Sequence, residues 1–306
     1  MRGRAMIRGL SRATPVVVQG ITGRMGRTHA ALMRGYGTNI VGGTSSRTDV
    51  NEADGLPVFA TCAEAVLATG ATASVIMAPP LDTLAAVQEA LAAGIKLIVT
   101  VAEGVPLHDA IRIGRAVRRA GATWVGASTP GLAIPGECKL GFIPDVCLAP
   151  GPLGIMTKSG TLSYEVGYRL ARDGLGQSLW VGVGGDPVKG VRFADLLPVF
   201  FDDPRTEAII LVGEVGGTEE EECADAYLRL GRRKPLFALI AGREAKEGVA
   251  MGHAGALVHG DSGTLESKWQ RLTAAGAQVF GSVQQLVEAV QAFPGPDRAA
   301  VEPSSS

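Results

Sequence analysis

The sequence predicts an α/β protein with two consecutive domains, each built on a parallel, doubly wound sheet. Short apolar runs alternate with stretches of helical spacing along almost the whole chain. The runs read as strands that are buried on both faces. With 306 residues the chain is long enough for two domains with separate cores. Strand–helix alternation of this kind is typical of a parallel sheet covered by helices.

The first predicted domain covers residues 15–133 and follows an N-terminal extension at residues 1–14. Its first strand leads through a glycine-containing turn into a helix, which indicates a Rossmann-like domain. Its predicted strands lie at residues 16–18, 40–41, 73–77, 97–100 and 123–125. Its predicted helices lie at residues 28–33, 81–93 and 109–120.

Prolines and glycines without a regular period occupy residues 134–152, which we interpret as a linker between the domains. The second domain then covers residues 153–293 and is expected to be flavodoxin-like. Its predicted strands lie at residues 153–156, 178–183, 208–212, 236–240 and 277–280. Its predicted helices lie at residues 160–172, 193–201, 219–230, 262–274 and 283–290. The polar tail at 294–306 is expected to be disordered.

Composition excludes several classes of protein. A net charge of −1 gives no reason to expect a nucleic-acid partner. No apolar run reaches the roughly 18–20 residues that a membrane helix needs, so no membrane partner is expected. The four cysteines form no Cys-x-x-Cys pair and the histidines form no cluster, so no metal site is expected. Scattered cysteines fit a reducing cytosol, and we expect a cytoplasmic protein, or a mitochondrial-matrix protein in a eukaryote.

A glycine-rich turn follows the first strand and opens the first helix. It contains Gly20, Gly23 and Gly26. Glycines let the backbone approach a pyrophosphate, and the N–H groups and dipole of a helix N-terminus favour its negative charge. The spacing is not a strict Gly-x-Gly-x-x-Gly, so a purely structural turn remains an alternative.

The end of the second strand bears on which nucleotide this turn would bind. An NAD site calls for an acidic residue about 20 positions after the turn, to hold the ribose. Here no acid occurs in residues 42–48, and the first is Asp49. Arg47 and neighbouring hydroxyls suit an additional phosphate, as on NADP or on the 3′-phosphate of coenzyme A. Spacing alone does not separate these two ligands.

Three short segments of the second domain have the residue types that phosphoryl transfer through a histidine needs. His253 stands between two glycines, Glu214 follows a hydrophobic strand, and Ser159, Gly160 and Thr161 open a helix. The chemistry needs a neutral imidazole, a partner that orients it, and N–H donors for the phosphate oxygens. Taken singly, each has a structural alternative: a loop histidine, an exposed turn acid and a helix N-cap.

Four consecutive glutamates, residues 219–222, begin the helix that follows Glu214. Acids in the first turn of a helix suit the positive end of its dipole. We therefore interpret the run as a solvated face of the helix, with no part in the site.

Segments 157–165, 213–217 and 251–256 together resemble the α subunit of succinyl-CoA synthetase (succinate–CoA ligase) and related acyl-CoA ligases. The resemblance extends from about residue 15 to about residue 290. It implies that His253 is the phosphorylated nucleophile, Glu214 its orienting carboxylate, and Tyr164 a neighbour of the acyl group. It also implies a phosphate cradle at Ser159, Gly160 and Thr161. The coenzyme A contacts that it implies are Thr22, Gly23, Arg24, Met25, Pro79, Val101, Ala102 and Glu103, with Arg47 in place of the family lysine that aligns with Thr48.

The resemblance also implies a second subunit. The chain has no Gly-x-x-x-x-Gly-Lys-Ser/Thr motif and nothing like an ATP-grasp module. An ATP-grasp β subunit, in an αβ or α2β2 assembly, would bind ATP or GTP with Mg²⁺. His253 would then pass the phosphoryl group to a carboxylic acid, and coenzyme A would take the acyl group.

Departures from the family pattern leave the acid open. Thr157-Lys158 stands where the family usually has Ser-Arg, and Asp145-Val146 where it usually has Gly-His. Such changes fit drift within a succinate enzyme, or a paralogue for another acid such as malate or a substituted succinate. Two other classes remain as alternatives: a non-catalytic CoA-binding regulatory paralogue and an NADP-dependent reductase.

Overall fold

The computed structural model describes residues 6–47, 49–242 and 263–293, and in this part the chain forms two seven-stranded sheets with helices around them. The predicted α/β class is therefore confirmed. No helix in the described ranges is long and apolar enough to cross a membrane. Cys62, Cys138, Cys147 and Cys223 are all buried and unbridged.

The first sheet contains six parallel strands in the order 3-2-1-4-5-6 that is typical of dinucleotide-binding folds. A short antiparallel strand, β3, is added at one edge. The strands are β1 (Val16–Gln19), β2 (Ile40–Thr44), β3 (Glu52–Ala53), β4 (Leu56–Phe59), β5 (Ala73–Ile76), β6 (Leu97–Thr100) and β7 (Thr123–Gly126). The helices are α1 (Arg24–Tyr36), α2 (Cys62–Thr69), α3 (Thr83–Ala92) and α4 (Leu107–Ala120), with a 3₁₀ turn at Pro80–Asp82.

The second sheet contains five parallel strands in the order 2-1-3-4-5, the flavodoxin-like order, and a hairpin added beside them. The strands are β8 (Gly131–Ile134), β9 (Cys138–Gly141), β10 (Pro150–Thr157), β11 (Gln177–Gly182), β12 (Ala208–Glu214), β13 (Leu236–Ala241) and β14 (Gln278–Phe280). The helices are α5 (Gly160–Arg172), α6 (Phe193–Asp202), α7 (Glu219–Arg229), α8 (Leu265–Ala274) and α9 (Val283–Ala292), with a 3₁₀ turn at Asp145–Cys147.

Regular structure also occurs in the segment that we interpreted as a linker. β8 and β9 form an antiparallel hairpin, and β8 pairs with β11 of the second sheet. Each strand is only four residues long, so its pattern is too short to stand out from the glycines around it. The hydroxyl of Thr38 donates to the carbonyl oxygen of Lys139 at 2.7 Å, which ties the hairpin to the end of α1. The domain boundaries themselves stay a prediction.

The two sheets share part of their core. One cluster of buried apolar residues includes Val75 and Val125 of the first sheet with Val181 and Leu211 of the second. Phe200 of α6 belongs to the same cluster and is fully buried against β10. A Cβ atom added to Gly154 of β10 would lie 2.4 Å from the ring of Phe200, so the ring uses the space that this glycine leaves.

Phe200→Ala should lower the free energy of unfolding by about 3–5 kcal/mol, because it removes a buried ring and leaves a cavity over β10. Leu228→Ala is the control, since Leu228 is 41% exposed and its loss should cost about 0.5 kcal/mol. Urea denaturation of the two variants beside the parent would measure both values. Equal losses would contradict the packing described for Phe200.

Candidate functional site

The predicted site residues that the structure describes lie at the carboxyl ends of parallel strands. In the first sheet they follow β1, β2, β5 and β6, and in the second sheet they follow β10 or, for Glu214, end β12. Ligands of open α/β sheets bind at this edge, where strand order reverses and helix N-termini converge. His253 and Thr48 lie outside the described residues.

The turn after β1 depends on two glycines. Gly20 has φ 81°, a left-handed conformation that glycine adopts without strain. A Cβ atom added to Gly26 would lie 2.1 Å from the carbonyl oxygen of Gly20, so only glycine fits there. Gly23, Arg24 and Met25, at the start of α1, are exposed. The first N–H groups of α1 lack partners within the helix and lie beside the turn.

Side chains after β2 border this turn. The hydroxyl groups of Thr22 and Ser45 lie 2.6 Å apart, and the Ser45 hydroxyl also accepts from the backbone N–H of Arg47 at 3.0 Å. The guanidinium of Arg47 is exposed and lies 3.2 Å from the exposed carboxylate of Asp49. Exposed pairs of this kind contribute only about 0–1 kcal/mol, so Arg47 can leave Asp49 for a phosphate at little cost.

The remaining predicted coenzyme A contacts follow the next two strands. Pro79 comes after β5 and is exposed, while Val101, Ala102 and Glu103 come directly after β6. β1, β5 and β6 are adjacent in the sheet, so these residues lie along the same edge as the glycine turn. Among them Glu103 is exposed and Val101 and Ala102 are partly buried.

Ser128 joins the edges of the two sheets, which the sequence reasoning missed. Its backbone N–H donates to the carbonyl oxygen of Ala102 at 2.8 Å, and its carbonyl oxygen accepts from Gly185 N–H at 3.2 Å. Gly185 lies in the loop after β11. A Cβ atom on Gly184 would lie 2.0 Å from the carbonyl oxygen of Ala127, so the two loops are in direct contact. The predicted coenzyme A edge and the second sheet's edge are therefore neighbours.

The start of α5 has the geometry of an anion cradle. Ser159 is the N-cap, and its hydroxyl oxygen accepts from the backbone N–H of Leu162 at 3.4 Å. Gly160 and Thr161 are the first two helical residues, whose N–H groups have no partner within the helix. A Cβ atom on Gly160 would lie 3.5 Å from the Tyr164 hydroxyl, which places that hydroxyl beside the helix start. Burial raises the pKa of Tyr164 to about 12, so it remains a donor at neutral pH.

Glu214 is the last residue of β12, and its side chain is largely buried. β10 and β12 are adjacent, and the backbone N–H of Lys158 donates to the carbonyl oxygen of Val212 at 3.0 Å. Glu214 and the Ser159 cap therefore lie on neighbouring strand ends. Residues 243–262 are outside the described part, but at Gly263 the carbonyl oxygen accepts from Gly216 N–H at 2.7 Å. The loop that follows Glu214 is thus hydrogen-bonded to Gly263.

The interpretation of the glutamate run as a solvated face is wrong for three of its four residues, since only Glu222 is exposed. Glu219, Glu220 and Glu221 are 4%, 0% and 7% exposed, because the start of α7 faces the sheet edge instead of solvent. Three buried lysine ammonium groups neutralise the three carboxylates. We call these six side chains the Lys–Glu cluster: Lys158, Lys189, Glu219, Glu220, Glu221 and Lys268.

Glu220 is at the centre of the Lys–Glu cluster. Burial alone would raise its pKa, but the ammonium groups of Lys158 and Lys268 outweigh burial and hold the pKa at about 2. Burial alone would lower the pKa of Lys158. The carboxylates of Glu220 and Glu219 outweigh burial and raise this pKa above its ordinary value. The pKa of Lys189 is lowered, because burial exceeds the effect of Glu219 beside it.

Helical spacing would have indicated that these acids are buried. Glu219 and Glu220 each stand four positions, about one helical turn, before Cys223 and Ala224 respectively, which are buried on the face of α7 toward the sheet. Two acids on the apolar face of a helix need partners in the interior. Which lysines supply the charge could not be read from the sequence, because Lys158 and Lys268 are 110 residues apart.

In the described ranges no group of histidine, cysteine or acidic side chains could hold a metal ion.

Two family models match the chain. Residues 11–104 match the CoA binding domain, and residues 156–278 match the CoA-ligase family. The chain is 44% identical over 283 residues to an ADP-forming succinate–CoA ligase α subunit of Aquifex aeolicus, covering 92% of each chain. It is also 44% identical over 267 residues to a subunit of an ADP-forming sulfoacetate–CoA ligase of Bilophila wadsworthia, covering 86% of this chain and 91% of that one.

Solved structures show the same fold. The ATP citrate lyase of Methanothrix soehngenii, solved with citrate and coenzyme A, matches 96% of the chain with a TM-score of 0.79. Sequence identity in that match is 24%, and the chain spans about half, 52%, of the length of the lyase chain. A dinucleotide-forming acetyl-coenzyme A synthetase of Ca. Korarchaeum cryptofilum matches 90% of the chain with a TM-score of 0.74 and 20% identity.

Stability should fall as Glu220 is protonated. Its pKa is about 2 in the folded protein, below the ordinary 4.5 of a glutamate, so its contribution is present above pH 4.5 and is lost as the pH falls to about 2. That contribution is on the order of 3 kcal/mol. Urea denaturation across this pH range should show a smaller loss of stability for Glu220→Gln than for the parent. Parallel curves for the two proteins would contradict the prediction.

Gly26→Ala should weaken coenzyme A binding more than about tenfold, because the added methyl group displaces the carbonyl oxygen of Gly20 and opens the turn. Gly35→Ala, in the same helix, is the control, since nothing lies within 4 Å of a Cβ atom there. It should bind like the parent and gain up to about 1 kcal/mol of stability. Calorimetric titration with coenzyme A measures both. Unchanged affinity in Gly26→Ala would mean that coenzyme A does not use this turn.

Proposed function

The chain belongs to the family of succinate–CoA ligase α subunits and is the α subunit of an acid–CoA ligase, and we propose that its second domain carries the phosphoryl group on His253. The observation that supports this most is the pairing of two strand ends. Glu214 on β12 and the Ser159 cap after β10 lie side by side, which puts a carboxylate next to a helix N-terminus. That pairing suits an imidazole that must be oriented while it holds a phosphate.

In the proposed reaction a nitrogen of His253 attacks the γ-phosphorus of ATP, so that a P–N bond forms as the P–O bond to ADP breaks. Glu214 accepts the N–H of the other ring nitrogen and stabilises the imidazolium. A carboxylate oxygen of the acid then takes the phosphoryl group, which restores the neutral imidazole and gives an acyl phosphate. Ser159, Gly160 and Thr161 donate hydrogen bonds to the phosphate oxygens throughout.

The first domain fits coenzyme A, whose thiol takes the acyl group and releases phosphate. Its carboxyl edge offers open helix N–H groups at Arg24 and Met25, which suit a pyrophosphate. Arg47 stands where an NAD site would call for an acid, and we propose that it holds a further phosphate. Ser128 hydrogen-bonds Ala102 of this edge and Gly185 of the second sheet's loops, and we propose that Tyr164, beside the start of α5, contacts the acyl group.

We propose that an ATP-grasp β subunit completes the enzyme, in an αβ or α2β2 assembly. The partner would bind ATP or GTP together with Mg²⁺, which neutralises the charge of the transferring phosphoryl group. The unbridged cysteines agree with the reducing conditions of a cytoplasmic enzyme.

The acid is proposed to be a small dicarboxylate, with succinate first. The relative that is named for sulfoacetate is as similar to this chain, at 44% identity, as the first relative named for succinate. A second anionic group at the far end of the substrate is common to both acids. Succinate, malate and sulfoacetate therefore belong in the same assay.

The experiment mixes this chain and its β subunit with ATP that is labelled in the γ-phosphate. The proposal predicts that the chain becomes labelled, and that the label is labile in acid and stable in base. His253→Asn should remove the label, because no other side chain is proposed to carry it. His108→Asn is the matched control, since His108 is an exposed histidine outside the site and its variant should label like the parent.

Discharge of the label identifies the substrate. Each acid is added with coenzyme A, and the acid that removes the label while acyl-CoA accumulates is the substrate. Label that persists in His253→Asn would contradict the assignment of the nucleophile. A folded parent complex that binds coenzyme A but takes no label would favour a CoA-binding regulatory protein.

A further inference from the structure

The Lys–Glu cluster is bonded to the backbone of Glu214 and includes Lys158, the residue before the Ser159 cap. We infer that it positions the phosphoryl-transfer site, with Glu220 as its central positioning residue, an inference that rests on the proposed function. None of the six side chains is proposed to touch a substrate. The cluster acts by fixing the backbone of the loops that carry the reacting groups.

Glu220 fixes the position of Glu214. Its Oε1 atom accepts the backbone N–H of Glu214 at 3.1 Å and lies 2.9 Å from the ammonium nitrogen of Lys158. A Cβ atom on Gly213 would lie 2.6 Å from the same oxygen, so the strand approaches the carboxylate as closely as a glycine allows. Because Lys158 immediately precedes the Ser159 cap, one carboxylate joins the ends of β10 and β12.

Lys268 and Glu221 fix the loop that follows Glu214. The ammonium group of Lys268 donates to the carbonyl oxygen of Gly217 at 2.9 Å and to Glu221 at 3.2 Å, and it also binds Glu220. The other carboxylate oxygen of Glu221 accepts the backbone N–H of Gly263 at 3.2 Å. The loop and Gly263 are thus both held by side chains of α7 and α8.

Lys189 and Glu219 fix the loop after β11. Lys189 donates to the carbonyl oxygen of Gly184 and lies 3.0 Å from Glu219. The other oxygen of Glu219 accepts the backbone N–H of Phe193 at 3.1 Å, at the start of α6. Since Gly184 touches the loop of Ser128, this branch of the cluster extends to the junction of the two sheets.

Stability by itself does not account for such a cluster. Taking a charged group out of water costs several kcal/mol, and apolar side chains of similar volume are often as stable or more stable in its place. Apolar side chains, however, could not accept the N–H groups of Glu214, Gly263 and Phe193. The carboxylates provide these acceptors at defined positions, and the lysines keep the acceptors charged.

The test compares Glu220→Gln with Glu222→Gln in the complex with the β subunit. Both remove one carboxylate from the first turn of α7, but Glu222 is exposed and paired with Arg192. We expect Glu220→Gln to slow single-turnover labelling by about ten- to hundredfold, as loss of a partner behind a catalytic group does. The dissociation constant of coenzyme A and the KM of the acid should stay within about twofold, and Glu222→Gln should match the parent. Labelling of folded Glu220→Gln at the parental rate would overturn the inference.

A charge-balanced variant separates positioning from stability. Glu220→Gln combined with Lys268→Met removes one negative and one positive charge, and should be more stable than the single variant. Its labelling rate should nevertheless stay low, because the hydrogen bond from Lys268 to Gly217 and the charged Glu220 acceptor for the Glu214 N–H are both lost. Recovery of the parental rate would mean that the cluster is only structural. Failure of the parent to take label would contradict the proposed function instead, whatever the variants do.

Discussion

The carboxylate of Glu220, shared between two buried ammonium groups, is the interaction on which the edge of the second sheet depends. Parallel strands bring their carboxyl ends to one edge, but the loops that follow them need other bonds to hold their shape. In this protein the bonds come from charged side chains of α7, α8 and the loops. The desolvation cost of burying these charges is offset by ion pairing, because three carboxylates face three ammonium groups.

The second constraint is the distance between the two domains' edges. Group transfer between a phosphate site and a thiol carrier needs both to reach one place without a large rearrangement. Ser128 supplies that proximity through two backbone hydrogen bonds, one to Ala102 and one from Gly185. The first domain contributes a glycine turn with no side chain in the way, and the second contributes a helix N-terminus. Each is a common feature of α/β folds, and the proposed acyl transfer requires both.

Much of the fold could be predicted from the sequence. Buried parallel strands are continuous apolar runs, and amphipathic helices have apolar residues at every third or fourth position. The residues 160–172 of α5 were predicted with the observed bounds. The prediction failed where regular structure is short, as in the hairpin of β8 and β9, or where burial depends on distant partners. Helical spacing places Glu219 and Glu220 on the buried face of α7, but it does not show that Lys158 and Lys268 lie near them. The candidate site at Glu214 and Ser159 was predicted from motifs and stays a prediction, whereas the buried partners of Glu220, Lys158 and Lys268, required coordinates.

The β8–β9 hairpin bears on how the chain can be divided. It lies between the two predicted domains in sequence. β8 pairs with β11 of the second sheet, and Thr38 of the first domain hydrogen-bonds Lys139 of β9. A fragment that ended at residue 133 would split β8 and take it away from β11. The freed backbone of β11 would then be an unprotected sheet edge, available for pairing with another chain. Expression of either half alone therefore carries a risk of aggregation that the intact chain avoids.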